Sequence, residues 1–546
     1  MSKVTPEGHT LSEEKTTKKR YIVATKRGSL AAQSGVKPLT SFDLQNHLQR
    51  FPKVNIKRTI NHNKVISPQS TVPGEADEIH LVEMDEQANK EFCENSPDHI
   101  LIEEDQSLDF LDAPLARQQN PARGGSLRSL IKTVTYEFLI LGEKSEPLAN
   151  VEVAIQSELS KSTGITNESG EVTISLDITP NSGIDFIFCK AKTSYWDFFL
   201  KSPALTTDQV NIVRLKALTE TNPGFPDNFS RGWGERIMGF DGDKFHLTGK
   251  GARIAIIDTG KGDHPLLEHV KSGIDLTNNG DTTTWSNDPE GHGTHVCGVI
   301  TANSNGKSFT GLCPDADVLI IKVFPGGTTS SLVEALDICI AERIDVVNMS
   351  LGTPQVSQIV EQKIEEALLA GVALIVAAGN SGGPVQFPAN SEHTIAVSAI
   401  GSTMALQPNT YDASQVTAKL TAENGIFSPL FSCHGPEVAL TAPGVAIIST
   451  GPDGTFFPDS GTSMAAPHVT GLAALLLAHH PAFKYQFAAR NYKRVFALQE
   501  LLRSISIPID FGPGRAGAGM PSVKQIACQL QTVAGNSISS YDASTQ

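Results

Sequence analysis

Residues 253–260 read RIAIIDTG, four apolar residues in a row that run straight into Asp258 and a Thr-Gly turn. An apolar run closed by an acid and a turn reads as a buried strand. The pattern returns in DVLIIKV (317–323), DVVNMSLG (345–352), ALIVAAGN (373–380) and TIAVSAI (394–400). Helical stretches stand between these runs: one from Gly293, others near Ser331–Glu342 and Val356–Ala370, and a long one from Ser463. Strands alternating with helices imply one parallel α/β sheet with helices on both faces, and residues 224–530 are read as that domain. Functional side chains in such sheets collect at the carboxyl ends of the strands.

Upstream of this domain the pattern changes. Residues 133–216 hold short alternating strands (TYEFLIL, NVEVAI, VTISL, DFIFCKA, NIVRLKAL) parted by turn-rich stretches, which predicts a small β-sandwich. Residues 112–132, rich in Pro, Gly and Arg without periodicity, read as a linker. Residues 21–111 give the order β-α-β-β-α-β, a compact α+β unit. The polar stretches 1–20 and 531–546 are expected to be disordered tails.

Composition excludes some functions. The net charge of −15 disfavours nucleic-acid binding, because Lys and Arg cluster only near 15–27 and 49–64. No apolar run is long enough to span a bilayer, so no membrane partner is expected. The first twenty residues hold no apolar signal region, which favours a cytoplasmic location, although non-classical export would leave the same sequence. Seven scattered cysteines, without a CxxC pair, read as buried reduced thiols.

Three short segments carry candidate chemistry. Asp258 ends the first strand, and an acid there also serves simply as a strand cap. His292 opens HGTHVCG, where a histidine is as often structural, and the HxxH spacing with His295 lacks any third metal ligand. Ser463 lies in SGTSMAAPHVTG at the start of the long helix. It is either an N-cap or a nucleophile placed where the helix end favours developing negative charge. Pro467 is expected within the first helical turn, where its missing N–H is harmless.

Together and in this order, DTG, HGTHVCG and GTSMAAPHVTG resemble the signature segments of the subtilisin-like serine peptidases. The resemblance implies a serine endopeptidase in which Ser463 attacks the scissile carbonyl, His292 takes and returns the proton, and Asp258 orients the imidazole. It implies that Asn380, at the end of ALIVAAGN, donates its amide to the oxyanion beside the Ser463 N–H. Ser350, Leu351 and Gly352 would form one wall of the specificity pocket, Ala378 and Gly379 the other, and Ala389 in FPAN its floor. A pocket without acids predicts medium apolar or aromatic P1 residues.

Residues 21–111 resemble the inhibitory propeptide of this family, which implies a self-inhibited precursor cut by its own active site close to Phe110 and Leu111, just after EEDQSLDF. The partners implied are polypeptide substrates and the chain's own propeptide; the β-sandwich is either a structural extension or a platform that recruits a partner. No organic cofactor and no catalytic metal are implied. Calcium stays open: the loop ANSNGKSFTGLCP (302–314) carries Asn305 where relatives bind Ca2+, but Leu266 stands where an acid is expected, with Glu268 two residues on. A different class of reading, a pseudo-protease that holds polypeptides without cutting them, would be marked by loss of Asp258, His292, Asn380 or Ser463, and all four are present.

Overall fold

The computed structural model describes residues 17–35, 39–60, 78–110, 131–179, 183–240, 247–305 and 308–525. Leu111, most of the expected linker, both chain ends and Cys528 lie outside the described residues.

Strands β1 (Lys19–Thr25), β2 (Asn55–Ile60), β3 (Ile79–Met84) and β4 (Ile100–Glu104) form an antiparallel sheet in the order β2-β3-β1-β4. Helices α1 (Gly28–Ser34), α2 (Ser41–Leu48) and α3 (Glu86–Asn95) connect them. Helix α1, GSLAAQS, departs from the sequence reading. It has no apolar periodicity and no side-chain N-cap; the Ser29 amide and hydroxyl instead donate to Glu365, far along the chain. A two-residue strand, β5 (Asp109–Phe110), ends this region.

Next come β6 (Lys132–Leu141), β7 (Glu152–Ser157), β8 (Lys161–Ile165), β9 (Glu171–Ile178), β10 (Ile184–Lys190), β11 (Phe198–Lys201) and β12 (Asn211–Arg214). They make two sheets, β11-β10-β7-β8 and β12-β6-β9, around a core that includes Phe138, Ile140, Val153, Ile155, Leu176 and Ile187. The sequence reading misses β8 (KSTGI) and β11 (FFLK), which lie at sheet edges where little apolar alternation is required. Short helices α4 (Leu218–Thr221) and α5 (Trp233–Ile237) lead onward.

The large sheet is built from β13 (Arg253–Asp258), β14 (Ser272–Asp275), β15 (Asp317–Lys322), β16 (Val346–Met349), β18 (Ala373–Ala377) and β19 (Ile395–Ser402), with the two-residue β17 (Leu351–Gly352) just after β16. Its order is β14-β15-β13-β16-β18-β19, every pair parallel. β21 (Val438–Pro443) adds in parallel to β19, and β20 (Ile426–Phe427) pairs with β19 antiparallel, an exception to the purely parallel expectation. Beyond them β22 (Ile447–Thr450) and β23 (Phe456–Asp459) form a hairpin.

Four helices cover the sheet: α6 (His292–Thr301), α7 (Thr329–Ala341), α8 (Gln358–Leu369) and α10 (Thr462–His479), with the short α9 (Tyr411–Ser414) in the insertion after β19. Alternate residues of β13 point to opposite faces, as the pleat requires. Ile254 and Ile256 join the cluster of α6 and α10, while Ala255 and Ile257 join that of α7 and α8. The two upstream units divide likewise. Ile22, Ala24, Ile79, Leu81 and Leu101 of the N-terminal unit enter the α7/α8 cluster, whereas Phe186, Phe188, Trp196 and Phe199 of the sandwich enter the α6/α10 cluster.

Candidate active site

β13 delivers Asp258, buried, to the carboxyl edge of the sheet. One oxygen, Oδ1, accepts the Thr259 N–H at 2.7 Å and the His292 Nδ1–H at 2.7 Å. A carboxylate can only accept, so the imidazole carries its proton on Nδ1 and Nε2 is the basic nitrogen. His292 is the first residue of α6, and Gly291 before it sits at φ 77°, a left-handed conformation that glycine adopts without strain. The Asp288 carboxylate accepts from the Gly291 and Thr294 amides at 3.0 and 2.8 Å, so it caps the helix start in place of an N-cap side chain. His295, one turn on, bonds the Ile447 carbonyl at 2.9 Å; burial pushes its pKa down to about 4, so it stays neutral and braces β22.

Ser463 is the second residue of α10, fully buried, with its hydroxyl donating to the Ser350 carbonyl at 3.3 Å. Pro467 does not fall in the first turn as expected; it is the sixth helical residue. Its missing N–H would have bonded the Ser463 carbonyl, and that carbonyl instead accepts from the Ser350 hydroxyl at 2.9 Å. Asn348 continues the brace, donating to Ser350 Oγ at 3.0 Å and accepting from Thr470 at 3.0 Å. The NMSLG segment and α10 are thus tied together.

Asn380 follows β18. Its Oδ1 accepts both the N–H and the hydroxyl of Thr462 at 2.9 Å, which commits the oxygen end of the amide and makes Nδ2 the end that can donate to an oxyanion. Gly379, at φ 116°, donates its N–H to Thr462 Oγ1 at 3.1 Å. Thr462, a residue that the sequence reading passed over, therefore couples the helix of Ser463 to Asn380.

Ser350, Leu351 and Gly352 leave the end of β16, and Ala378 and Gly379 leave the neighbouring β18, so the expected walls are adjacent. Between them stands a residue that the sequence reading missed. A Cβ built on Gly352 would lie 3.3 Å from Gln386 Oε1, and one on Gly379 only 2.7 Å from it. That oxygen is buried and accepts no hydrogen bond among the described residues. Ala389, the expected floor, lies in the apolar cluster with Phe387. A carboxamide in an otherwise apolar slot gave no sequence signal.

β5 pairs antiparallel with β17, Phe110 opposite Leu351 and Asp109 opposite Gly352. The Phe110 ring lies 5.1 Å from the His292 ring and 5.5 Å from that of Phe324. Upstream, the Leu108 N–H donates to the Gly327 carbonyl and the Thr329 N–H to the Gln106 carbonyl, both at 2.9 Å. Two carboxylates anchor the strand's approach. Asp105 accepts from the Ser330 N–H at 2.9 Å at the start of α7, and Glu103 from the Gln358 N–H at 2.7 Å at the start of α8.

From the other side, β10 of the sandwich reaches the site. Lys190 Nζ lies 2.7 Å from Asp459 Oδ1, both side chains buried, and Lys192 Nζ donates to the Glu290 carbonyl at 2.9 Å. Asp197 accepts the Tyr411 N–H at 2.8 Å. Burial, and then neighbouring acids, raise the pKa of Asp412; burial likewise raises that of Asp197. A cleft of about 370 Å3 opens at Asn380 and Ser381, walled by Phe186, Phe199 and Lys201 of the sandwich and by Tyr411.

Cys297 is fully buried and its thiol is pushed up to about 12, which removes the reactive thiolate. Asn303, in the expected calcium loop, donates its N–H to the Leu266 carbonyl at 2.8 Å and its side chain to the Pro314 carbonyl at 3.0 Å, and Glu268 is exposed. Among the described residues, no group of three or more His, Cys, Asp or Glu side chains is placed to hold a metal ion.

Residues 249–502 match the model of the Subtilase family. The chain is 35% identical to Subtilisin Savinase of Lederbergia lenta over 241 residues, 43% of this chain and 80% of that protein. It is 36% identical to the Minor extracellular protease Epr of Bacillus subtilis (strain 168) over 261 residues, 47% of this chain and 36% of that protein. Against Subtilisin E of the same organism the identity is 35% over 245 residues, 58% of that protein. The chain thus spans little more than a third of Epr, and somewhat over half of Subtilisin E.

Proposed function

The chain belongs to the subtilase family, and on that premise we propose that it is a serine endopeptidase made as a self-inhibited precursor. The observation that carries the reading is the Asp258–His292 pair at 2.7 Å, which fixes the tautomer a general base needs; the helix that His292 opens packs against α10, whose second residue is Ser463. Ser463 Oγ attacks the carbonyl while His292 Nε2 takes its proton; the imidazolium so formed is stabilised by Asp258. The oxyanion is met by Asn380 Nδ2 and the Ser463 N–H, and His292 returns the proton to the leaving amine. Water then repeats the sequence on the acyl-enzyme.

Residues 19–110 act as the inhibitor. Their last described strand occupies the substrate's place along β17, with Phe110 on the His292 ring, which supports reading Phe110 as the residue one before the scissile position. Self-cleavage then follows Leu111, and the mature enzyme begins at Asp112. Gln386 gives the specificity pocket one polar atom, so P1 side chains of medium size are preferred, those with an N–H donor included. The cleft beside Asn380 receives the leaving side of the substrate, with the sandwich as its outer wall.

The test is labelling with a fluorophosphonate probe together with hydrolysis of an unfolded protein. A single adduct on Ser463, lost in Ser463→Ala and suppressed in His292→Ala, is expected. A full-length or trimmed protein that neither labels nor cleaves, yet still binds polypeptides, would contradict the peptidase reading.

A further inference from the structure

Asp459 is the last residue of β23, and Ser463 follows it after a turn of three residues. Its Oδ1 accepts the Ser460 N–H at 2.9 Å, and the Ser460 hydroxyl accepts the Ala446 N–H at 2.7 Å. Two residues on, Thr462 holds Asn380. The direction of the Asp459 carboxylate therefore sets where the turn of residues 459–462 lies, and that turn carries both the nucleophile and the brace of the oxyanion amide.

The Asp459 side chain is only 4% exposed, and besides the Ser460 N–H its direction is held by the cation it pairs with. Here the counter-ion comes from outside the catalytic sheet. Lys190 ends β10 of the sandwich, its side chain 9% exposed, at 2.7 Å from Asp459. Its neighbour Lys192 holds the Glu290 carbonyl two residues before His292, so one strand end touches the approach to each catalytic loop. The charged and titratable groups around the pair are Asp197 beside β11, Asp412 of α9 and His295 of α6. Burial shifts Asp412 and Asp197 toward their neutral forms, so Asp459 is the carboxylate with which Lys190 pairs.

Resting on the peptidase reading above, we infer that Lys190 is a positioning residue. Its ammonium, supplied by the sandwich, fixes the Asp459 carboxylate and thereby holds Ser463 and Asn380 in register for attack. The sandwich is then a working part of the catalytic apparatus and not an appendage. Without the ammonium, the Asp459 carboxylate loses its partner and turns toward water, and the turn of residues 459–462 moves with it. A displacement of about 1 Å at a reacting atom costs on the order of a hundredfold in rate.

The experiment compares processed wild type with Lys190→Met and with the double variant Lys190→Met/Asp459→Asn, on one peptide substrate and in fluorophosphonate labelling. A wild type that does not label sinks the peptidase reading, and this inference with it; every later comparison starts from an active wild type. Lys190→Met is expected to lose at least tenfold in kcat with KM within threefold, and its labelling rate at Ser463 to fall in proportion. The double variant, whose carboxamide needs no counter-ion, is expected to recover labelling to within threefold of wild type. A Lys190→Met enzyme that melts earlier but keeps kcat within twofold would overturn the inference. If that variant does not fold, the double variant decides: folded and labelling near the wild-type rate upholds it, while slow labelling or failure to fold overturns it.

Discussion

The N-terminal unit and the β-sandwich bury apolar surface on opposite faces of one sheet, yet they are fastened by different chemistry. Around its apolar contacts the N-terminal unit is held by carboxylates on helix ends and by an ion pair with α7. Glu103 and Asp105 sit on helix N-termini, and Arg58 meets Glu334 at 2.8 Å. When it leaves, helix ends and a carboxylate are hydrated again. The sandwich instead encloses Lys190 against Asp459 and sets Phe186 at a tilt against Phe199 and Phe199 edge-on to Tyr411, with ring centroids 5.5 and 5.7 Å apart. Its removal would strand a buried charge and uncover aromatic faces, each worth about 1.5–3 kcal/mol when buried. Under the proposed function, the first unit comes off and the second stays.

The comparison breaks most visibly by deletion. Removing residues 132–216 is expected to give insoluble or unfolded protein, whereas a mature chain that begins at Asp112 stays folded and active once made; circular dichroism and activity on the two products check this. A folded, active enzyme without the sandwich would erase the distinction. The next largest effect is in inhibition by the N-terminal unit. The paired change Glu103→Gln/Asp105→Asn, in residues 17–111 added in trans, is expected to weaken inhibition of the mature enzyme by roughly ten- to a hundredfold, since each capping carboxylate contributes on the order of 1 kcal/mol. Inhibition constants measure it.

A smaller effect concerns the pocket. Gln386→Gly is expected to enlarge the slot and shift preference toward large aromatic P1 residues by about tenfold in kcat/KM, the usual scale for pocket contacts. A P1 library reads this directly, and an unchanged profile would place Gln386 outside the pocket. The smallest effect is on pH. Burial raises the Asp412 carboxyl above its unfolded value, so the native state holds a proton that the unfolded chain releases. The stability is greatest at the acid side of that window and falls as pH rises from about 4 through the raised pKa. Asp412→Asn is expected to flatten this decline by a few degrees in Tm across pH 5–8, followed by calorimetry.

The same contrast explains what the sequence could tell. Local apolar runs placed Asp258, His292, Ser463 and Asn380 at the ends or starts of elements, while their expected roles came from the resemblance of DTG, HGTHVCG and GTSMAAPHVTG to the family's segments. The parallel sheet followed from the same runs. What escaped depends on residues distant in sequence. Lys190 and Asp459 stand 269 positions apart, and nothing in DFIFCKA distinguishes Lys190 from an exposed lysine. Helix α1 owes its start to Glu365, and Gln386 matters only because two glycines leave it room. The misplacement of Pro467 is of the same kind: its lost bond is made good by Ser350, 113 residues before Ser463.

The central claim is that Ser463 acts on the chain's own N-terminal unit from a site already assembled around it. Intact mass of full-length wild type and Ser463→Ala, followed over time after purification, tests it most directly. Wild type is expected to convert to a species beginning at Asp112 while the variant stays whole, with the 17–111 unit still associated under native conditions. Conversion of both proteins at the same rate, or of neither while wild type fails to label at Ser463, would contradict it.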